Sequence, residues 1–587
     1  MQRGELVALA LAPSGGAGLA CQGRGWSIEP RDCPGELRRL EFEVRPRWVW
    51  WNQQTPAQLF ARGLAVATCW DLNAVHNLLF GGWRTEPGPI YASSHGLDLN
   101  SAPRIGQLDL LGAPDCDDGN PEEPVRADGH LRPEWTSGGW LRSPRRLIRW
   151  AELALAVATR QAVLLSELAV GGDPLSTARS ESAAELLCTE LAQTGLPLDR
   201  GAMEQLIAEA VGPRPRDEDD ARAIRRGRDA AVLAQISGGS AVDLRNPAQV
   251  RDLLERVGIA LPDTRAWRLE AFRGAHPVVE QLLRWRKAER IATTYGYQWL
   301  ERHVGPDDRL RGEWNGSDGA AGRMTATAGL HNLPTELRRA VAPGAGRRFV
   351  RADLGQIEPR VLAAVSGDPA LARATADDDL YAPVAARLGV ERSVAKVAVL
   401  AAMYGQTSGT AGEALKGLER AYPVAMRYLN NAYEHGRAGR DVRTYGGRLV
   451  RMWGDPEIEK ITEPVADIGG GPPAEDTDFS AYRSRAAARG RYARNAVIQG
   501  AAAELFKAWA VTVRARIGQL DAPDPAYLVL CLHDELVVSA AETDAEAIAA
   551  LVRDCLAEAA HRWAPPTPRV RFVAEVSIIE RWSDAKA

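Results

Sequence analysis

Two short segments restrict this chain more than anything else in it: Asp353-Leu354-Gly355-Gln356-Ile357-Glu358-Pro359-Arg360 and Leu532-His533-Asp534-Glu535-Leu536. Each places a carboxylate at the end of an apolar, strand-like run. Arg347–Asp353 reads as a strand and Gln356–Val365 as a helix, while Tyr527–Leu532 and Leu536–Ala540 read as a hairpin turning at His533-Asp534. The two aspartates lie about 180 residues apart, so only neighbouring strands can bring them to one spot. Two converging carboxylates suit a pair of Mg²⁺ ions about 3.5–4 Å apart, the arrangement of two-metal phosphoryl transfer. Taken singly, either aspartate is an ordinary strand-end residue, and the surrounding segments must decide.

Between them, Val390–Tyr404 has helical spacing. Arg392 and Lys396 are four apart and share one face, with Tyr404 two turns further on. Cations on one helix face can hold a triphosphate, and an aromatic ring can border a base pair. Arg494–Val513 reads as another helix and Val570–Ile579 as a last strand. The net charge of −4 argues mildly against a nucleic-acid binder, yet a basic channel can coexist with an acidic exterior.

At 587 residues the chain exceeds one hydrophobic core and implies several domains or subdomains. Its seven cysteines are scattered without a C-x-x-C pair, which argues against both a zinc site and a disulfide framework and fits a reducing cytosol. No targeting segment is expected, and Glu152, Arg160 and Glu167 interrupt the apolar run Ala151–Val170, so no membrane span is expected either. Residues 1–145 are Gly- and Pro-rich, with strand-like runs such as Glu41–Trp51 and turn signals through 98–145. Helices are expected over Pro144–Leu168, Ser182–Thr194, Asp199–Val211 and 216–230, and a long basic one over Pro277–His303. The Gly/Pro-rich acidic stretch 454–483 reads as an inserted loop.

These segments resemble family A DNA polymerases, the group that includes bacterial DNA polymerase I. DLGQIEPR is similar to the family's first motif; Arg392, Lys396, Leu400, Tyr404 and Gly405 follow its second; Leu532-His533-Asp534-Glu535 follows its third. Gly322-Arg323, Leu330-His331-Asn332-Leu333-Pro334, and Arg491, Asn495 and Gln499-Gly500 fall in the family's order, as do Ala574-Glu575-Val576 and Arg581-Trp582 at the carboxyl end. The resemblance covers about 181–587.

The resemblance implies an α+β multidomain fold, a right hand of palm, fingers and thumb preceded by a small α/β exonuclease-like remnant. The divisions would be 1–180 for the remnant and linker, 181–310 for the thumb, 311–367 and 500–587 for the palm, and 368–499 for the fingers with their insertion at 454–483. It implies two Mg²⁺ ions, with Mn²⁺ as a substitute, on Asp353, Asp534 and the Leu354 carbonyl, with Glu535 close by. Arg392 and Lys396 would contact the triphosphate, Lys396 also protonating the leaving pyrophosphate. Gln356, Leu400, Tyr404 and Tyr381 would border the nucleotide, and Glu358 would exclude a ribose 2′-OH. Arg323, Asn332, Arg491, Asn495, Gln499 and His533 would contact DNA, Arg323 and Gln499 through minor-groove acceptors common to all correct pairs. The basic helix near 284–290 would grip phosphates.

The sequence departs from the family at Leu400, where an aromatic normally stands, and at Tyr381, where many relatives have histidine. Pro359, Gly355 and Ala401 are milder changes. In the amino-terminal region no D-x-E strand is found. Asp71, in Cys69-Trp70-Asp71-Leu72, is the one candidate carboxylate of an exonuclease site, and Leu153 falls where another aspartate is expected. The expected function is DNA-dependent primer extension with dNTPs, without proofreading, in repair or replication. The partners would be primer-template and dNTPs with no membrane, and the protein a monomer in the bacterial cytoplasm, associated with the nucleoid. The alternatives are a catalytically silent polymerase-like DNA-binding protein, an RNA-making or primer-extending relative of the single-subunit phage RNA polymerases, and a polymerase with residual 3′–5′ exonuclease activity.

Overall fold

The computed structural model describes residues 2–82, 84–103, 119–236, 242–405, 411–453 and 475–585, without the side chains of 411–414 and 475–482. The fold is α+β and divides into two compact units. One holds 1–193, 314–325 and 350–577; the other holds 194–313, 326–349 and 578–587.

The first unit begins with a five-stranded sheet in the order Arg24–Ile28, Ala17–Cys21, Leu6–Leu11, Arg47–Trp50, Thr68–Asp71. The first three strands pair antiparallel and the last three parallel. Alternation sorts its side chains to two buried faces: Val7, Leu9 and Trp48 on one, Ala8, Ala10 and Val49 on the other. The helix Pro144–Ser166 crosses the second face so closely that a Cβ at Gly18 would collide with the Leu147 carbonyl. The stretch Glu41–Trp51 is not one extended run. A helix spans Cys33–Glu43, with Pro34 in its first turn and Leu37 and Leu40 inward, and the strand starts only at Arg47. Arg45 at φ 45° and Pro46 make the break.

A second sheet, most of it in this unit, runs in the order Tyr527–Leu532, Glu535–Ala541, Arg347–Leu354, Ala574–Ile579. The first two strands form the expected hairpin, with Leu532 opposite Glu535. The last strand begins at Ala574, four residues after the position read from sequence. A helix of 43 residues, Glu475–Ile517, absorbs Arg494–Val513 and the end of the expected insertion, 475–483; residues 454–474 lie outside the described chain. Small residues make its crossing with Pro423–Arg437 possible: a Cβ at Gly490 would meet the Tyr433 ring at 2.7 Å. This helix is apolar enough to span a bilayer by length and composition, but 83 % of its apolar window is buried in protein, which makes it a core helix.

The second unit is helical around Val250, Leu253, Leu254, Leu269, Val278 and Leu282. Its expected long basic helix is two helices, Pro277–Thr294 and Tyr297–His303. Tyr295 leaves the helical conformation so that its buried hydroxyl can donate to the Asn332 carbonyl at 2.8 Å, and Gly296 follows extended. This compact unit starts at Thr194, so all but the last residue of the helix Pro174–Thr194 belongs with the first unit. Ser182 binds Asp71 N through its hydroxyl, and Glu190 pairs with Arg514.

Candidate active site

Strand geometry brings the two aspartates together. Leu354 N donates to the Asp534 carbonyl at 2.9 Å, so the end of one strand is stitched to the hairpin tip. His533, at φ 58°, permits the tight two-residue turn. On the far side Gly355 N donates to the Val573 carbonyl at 3.0 Å. Burial, and then the Asp534 charge, push the Asp353 carboxyl up to about 6; Glu535 and Glu575 add to the rise and Arg351 opposes it. Asp534 is raised too, first by burial, with Glu535 contributing. Four carboxylates therefore crowd one end of the sheet.

Arg351 is the counter-charge. Its Nη2 donates to Asp353 at 2.9 Å and its Nε to Glu535 at 2.8 Å. Sequence reading missed Arg351, because a strand arginine two residues before an aspartate carries no signal of its own. Among the described residues no three His, Cys, Asp or Glu side chains are arranged to hold a metal. The expected set asks for less: two carboxylates and the Leu354 carbonyl, all hard oxygen donors of the kind Mg²⁺ prefers. The excess of negative charge fits a divalent cation.

Glu358 anchors a second group. Its carboxylate pairs with Arg323 at 3.2 Å and accepts from the Tyr404 hydroxyl at 3.3 Å, and Gln499 hydrogen-bonds the same hydroxyl. Burial raises the Glu358 carboxyl. Four predicted residues from four separate elements thus form one polar cluster.

A third group surrounds Asp379, which sequence reading passed over except as a neighbour of Tyr381. Arg392 pairs with Asp379 at 2.5 Å, and this contact holds the Asp379 carboxyl below its ordinary value. Gln356, in a left-handed conformation with φ 54°, donates to Asp379 and accepts from Leu380 N, both at 2.8 Å. Tyr381 lies under the Arg392 guanidinium, its hydroxyl pushed up to about 12 first by burial and then by Glu358. Arg360 fixes the loop from below. Fully buried, it donates to the carbonyls of Thr375, Asp377, Asp378 and Arg571 at 2.6–2.8 Å.

Lys396 is exposed one turn beyond Arg392 and pairs with no described carboxylate. Leu400 is half-buried against the core that includes Ala398, Val399 and Met403. Arg491 is exposed and packs its stem against Gly405, where a Cβ would sit 2.9 Å from Arg491 Cγ. Asn495 keeps a buried side-chain oxygen without a hydrogen bond. His533 is exposed at the hairpin tip. Asn332 belongs to the second unit, its carbonyl taken by Arg290 at 2.7 Å and Tyr295. The other cations expected to grip phosphate are also occupied: Arg284 with Glu280, Lys287 with Glu336, and Arg286 with the Thr264 hydroxyl at 2.9 Å.

Beneath Arg323 lies a sealed ionic hub. Lys507 Nζ donates to Glu181 at 2.5 Å and to the carbonyls of Gly322 and Gly316 at 2.8 and 3.1 Å. Arg448 donates to Glu181 and to Ser317. Two cations hold the Glu181 carboxyl below its ordinary value despite complete burial. The hub fixes the hairpin Trp314–Ala326 that carries Arg323, and Gly322, at φ 63°, leaves no room for a Cβ under the Arg448 guanidinium.

In the amino-terminal sheet Asp71 is a helix cap. It is buried, accepts from Ala74 N and from Trp50 Nε1, both at 2.9 Å, and burial pushes its carboxyl up to about 7. The first strand, LVALAL, carries no carboxylate, and Leu153 is buried in the core.

Known proteins share this architecture. DNA polymerase family A matches residues 230–584. DNA polymerase I of Chloroflexus aurantiacus is 32 % identical over 318 residues, 49 % of this chain and 31 % of that protein. The thermostable DNA polymerase I of Thermus aquaticus is 29 % identical over 379 residues, 57 % of this chain and 42 % of the relative. The chain thus matches less than half the length of these curated relatives. The solved POL domain of Pol1 from M. smegmatis, in complex with DNA primer-template and dNTP, is similar over 99 % of this chain and 95 % of its own, with a TM-score of 0.62 at 21 % identity. That likeness establishes the right-hand polymerase fold.

Proposed function

This chain belongs to DNA polymerase family A, and on that premise we propose that it extends a DNA primer with dNTPs under the direction of a template strand. The observation that carries the reading is the crowding of Asp353 and Asp534, whose charge raises its partner's pKa while only Arg351 opposes it. Asp353, Asp534 and the Leu354 carbonyl would hold two Mg²⁺ ions, which when bound supply charge neutralisation at the attacking and leaving oxygens. In the reaction the primer 3′-hydroxyl loses its proton to solvent as its oxygen bonds to the α-phosphorus, the bond from that phosphorus to the α–β bridging oxygen breaks, and pyrophosphate leaves with that oxygen.

The protein's own groups do the rest. Arg392 and Lys396 share a helix face suited to the triphosphate, and Lys396, which pairs with no described carboxylate, donates a proton to the departing pyrophosphate. For Arg392 to reach the nucleotide it must leave Asp379. Glu358, braced by Arg323 and Tyr404, keeps a carboxylate where a 2′-OH would sit and so favours deoxynucleotides by exclusion. Arg323 and Gln499 contact minor-groove acceptors, Arg491, Asn495, Asn332 and His533 the template or duplex, and Leu400 gives the sugar an apolar contact without ring stacking.

Proofreading is absent on this reading, because both Asp71 oxygens are taken by a helix cap and an indole, and the first strand carries no carboxylate. The protein acts in repair or replication as a monomer on DNA in the bacterial cytoplasm. Primer extension with Mg²⁺ and separate dNTP and rNTP sets, wild type beside Asp534→Ala, is the test. Extension with dNTPs that vanishes in the variant is expected. Template-primer binding without extension, with Mn²⁺ also tried, would instead favour a catalytically silent binder, for which the Arg351 bridge across Asp353 and Glu535 is the specific support.

A further inference from the structure

A cavity of about 440 Å³ lies in the first unit and shares no residue with the carboxylate cluster. One wall is a single face of the helix Pro174–Thr194, presenting Ser176, Arg179, Ser180 and Ala183. That spacing puts all four on one side within the first three turns. The opposite wall comes from the long helix, where Ala508, Val511 and Ala515 leave the space unfilled. Arg47 and Thr68 close the floor beside the sheet.

The charges in this cavity do not balance. Of its five arginines, three are answered locally: Arg514 by Glu190, Arg516 by Glu558, and Arg562 by the Thr512 hydroxyl and Glu558. Arg47 and Arg179 are not. Arg47 makes one contact, to the Cys69 carbonyl at 3.2 Å, and no described carboxylate pairs with either guanidinium. Burial, and next the charge of Arg179, hold the Arg47 guanidinium below its ordinary value, so the two cations are close enough to repel. None of the described lining acids forms an ion pair with them. Asp173 caps Leu175 N, and Glu504 is tied to Thr444 and Gly446 N with its carboxyl pushed up to about 7 by burial. Two like charges held together without a described counter-charge are favourable when an external anion bridges them.

We propose that this cavity is an anion site for a small phosphorylated molecule, pyrophosphate or a nucleotide, bridged by Arg47 and Arg179, with Ser176 and Ser180 as further donors. Guanidinium forks match phosphate oxygens two at a time, and serine hydroxyls on the same helix face supply neutral donors at the site's edge. The volume admits pyrophosphate with ordered water or a mononucleotide, and excludes a folded partner. Such a ligand would tie the amino-terminal sheet to the long helix, giving the cell's nucleotide or pyrophosphate level a purchase on the enzyme away from its carboxylates.

The test is calorimetric titration of the full chain in EDTA, with pyrophosphate and, separately, with deoxyadenosine monophosphate. It is run in a Lys396→Ala background, so that binding on the Arg392–Lys396 helix face does not obscure the site. One saturable site is expected, and the tighter probe identifies the source of the phosphate. Arg179→Gln should weaken it about tenfold or more, the scale of one charge-assisted contact. Because Arg179 is exposed and pairs with no described carboxylate, that variant should melt with the parent protein. Arg47→Met should weaken binding similarly. No saturable binding of either probe, or equal affinity in Arg179→Gln and parent, would overturn the assignment. The outcome is independent of whether the chain extends a primer.

Discussion

Asp71 and Asp353 stand in the same local setting, each at or next to the end of a strand that feeds a helix, yet they have opposite fates. Asp71 turns both oxygens inward, to a backbone amide and an indole, and its neighbours Ser182 and Gln161 complete a sealed core. Asp353 is one third exposed, caps nothing, and faces three other carboxylates. Burial raises both carboxyls, to about 7 and about 6. The difference lies in what could replace the proton. At Asp71 the donors already present satisfy the group; at Asp353 negative charge accumulates beyond what Arg351 can cancel. A strand-end aspartate is a candidate for chemistry where the fold denies it a cap and gives it like-charged company.

The sharpest way to break this comparison is in turnover. Asp534→Ala should cut single-turnover extension on the order of a thousandfold or more, the several kcal/mol of charge stabilisation a metal ligand supplies. Asp71→Asn should leave that rate within about twofold, as expected for a change remote from the chemistry. Equal losses would show that the two aspartates are not different in kind.

The next effect concerns charges that are buried and satisfied. Glu181→Gln leaves Arg448 and Lys507 buried without their counter-ion, and urea unfolding should report a loss of about 3–5 kcal/mol. A loss near zero would mean that the hub does not hold the Arg323 hairpin.

A smaller effect is the pH dependence of metal affinity. The Asp353 carboxyl must be ionised to bind, so Mn²⁺ affinity should fall roughly tenfold per pH unit below about 6 and be flat above 7. Calorimetry at successive pH values reads this, and an unchanged affinity at pH 5 would remove Asp353 from the ligand set.

The smallest effect tests Asp71 through stability. Its folded pKa, about 7, exceeds the ordinary 3.8, so the folded state binds the proton more tightly than the unfolded one. Stability from this group is therefore present at low pH and declines as pH rises between those values. Asp71→Asn should lose about 1–2 kcal/mol at pH 5, from one missing acceptor at the cap, and show a shallower fall by pH 8. Parallel wild-type and variant curves would refute the raised carboxyl.

Much of the site was legible because it is written in short-range pattern. Asp353 and Asp534 end apolar runs, Arg392 and Lys396 are one turn apart, and Tyr527–Ala541 has the alternation of a hairpin. Arg351, Asp379 and the Arg360 anchor were not legible. Each acts through partners far away in sequence, as when Arg351 reaches Glu535 and Arg360 reaches Arg571. The misread elements have a local cause. Glu41–Trp51 mixes a helix end with a strand across Pro46, and Pro277–His303 keeps helical periodicity through a break made by a tertiary bond from Tyr295.

The sequence by itself determined the ordered motifs, the α+β class and which strands end in carboxylates, because periodicity and residue type act within a few residues of each other. Only the tertiary structure decided that Arg351 bridges two acids, that Asp379 holds Arg392, that Glu358, Arg323, Tyr404 and Gln499 form one cluster, and that Arg47 and Arg179 share an unbalanced cavity. Electrostatic interaction depends on distance and burial, and neither exists until the chain has folded.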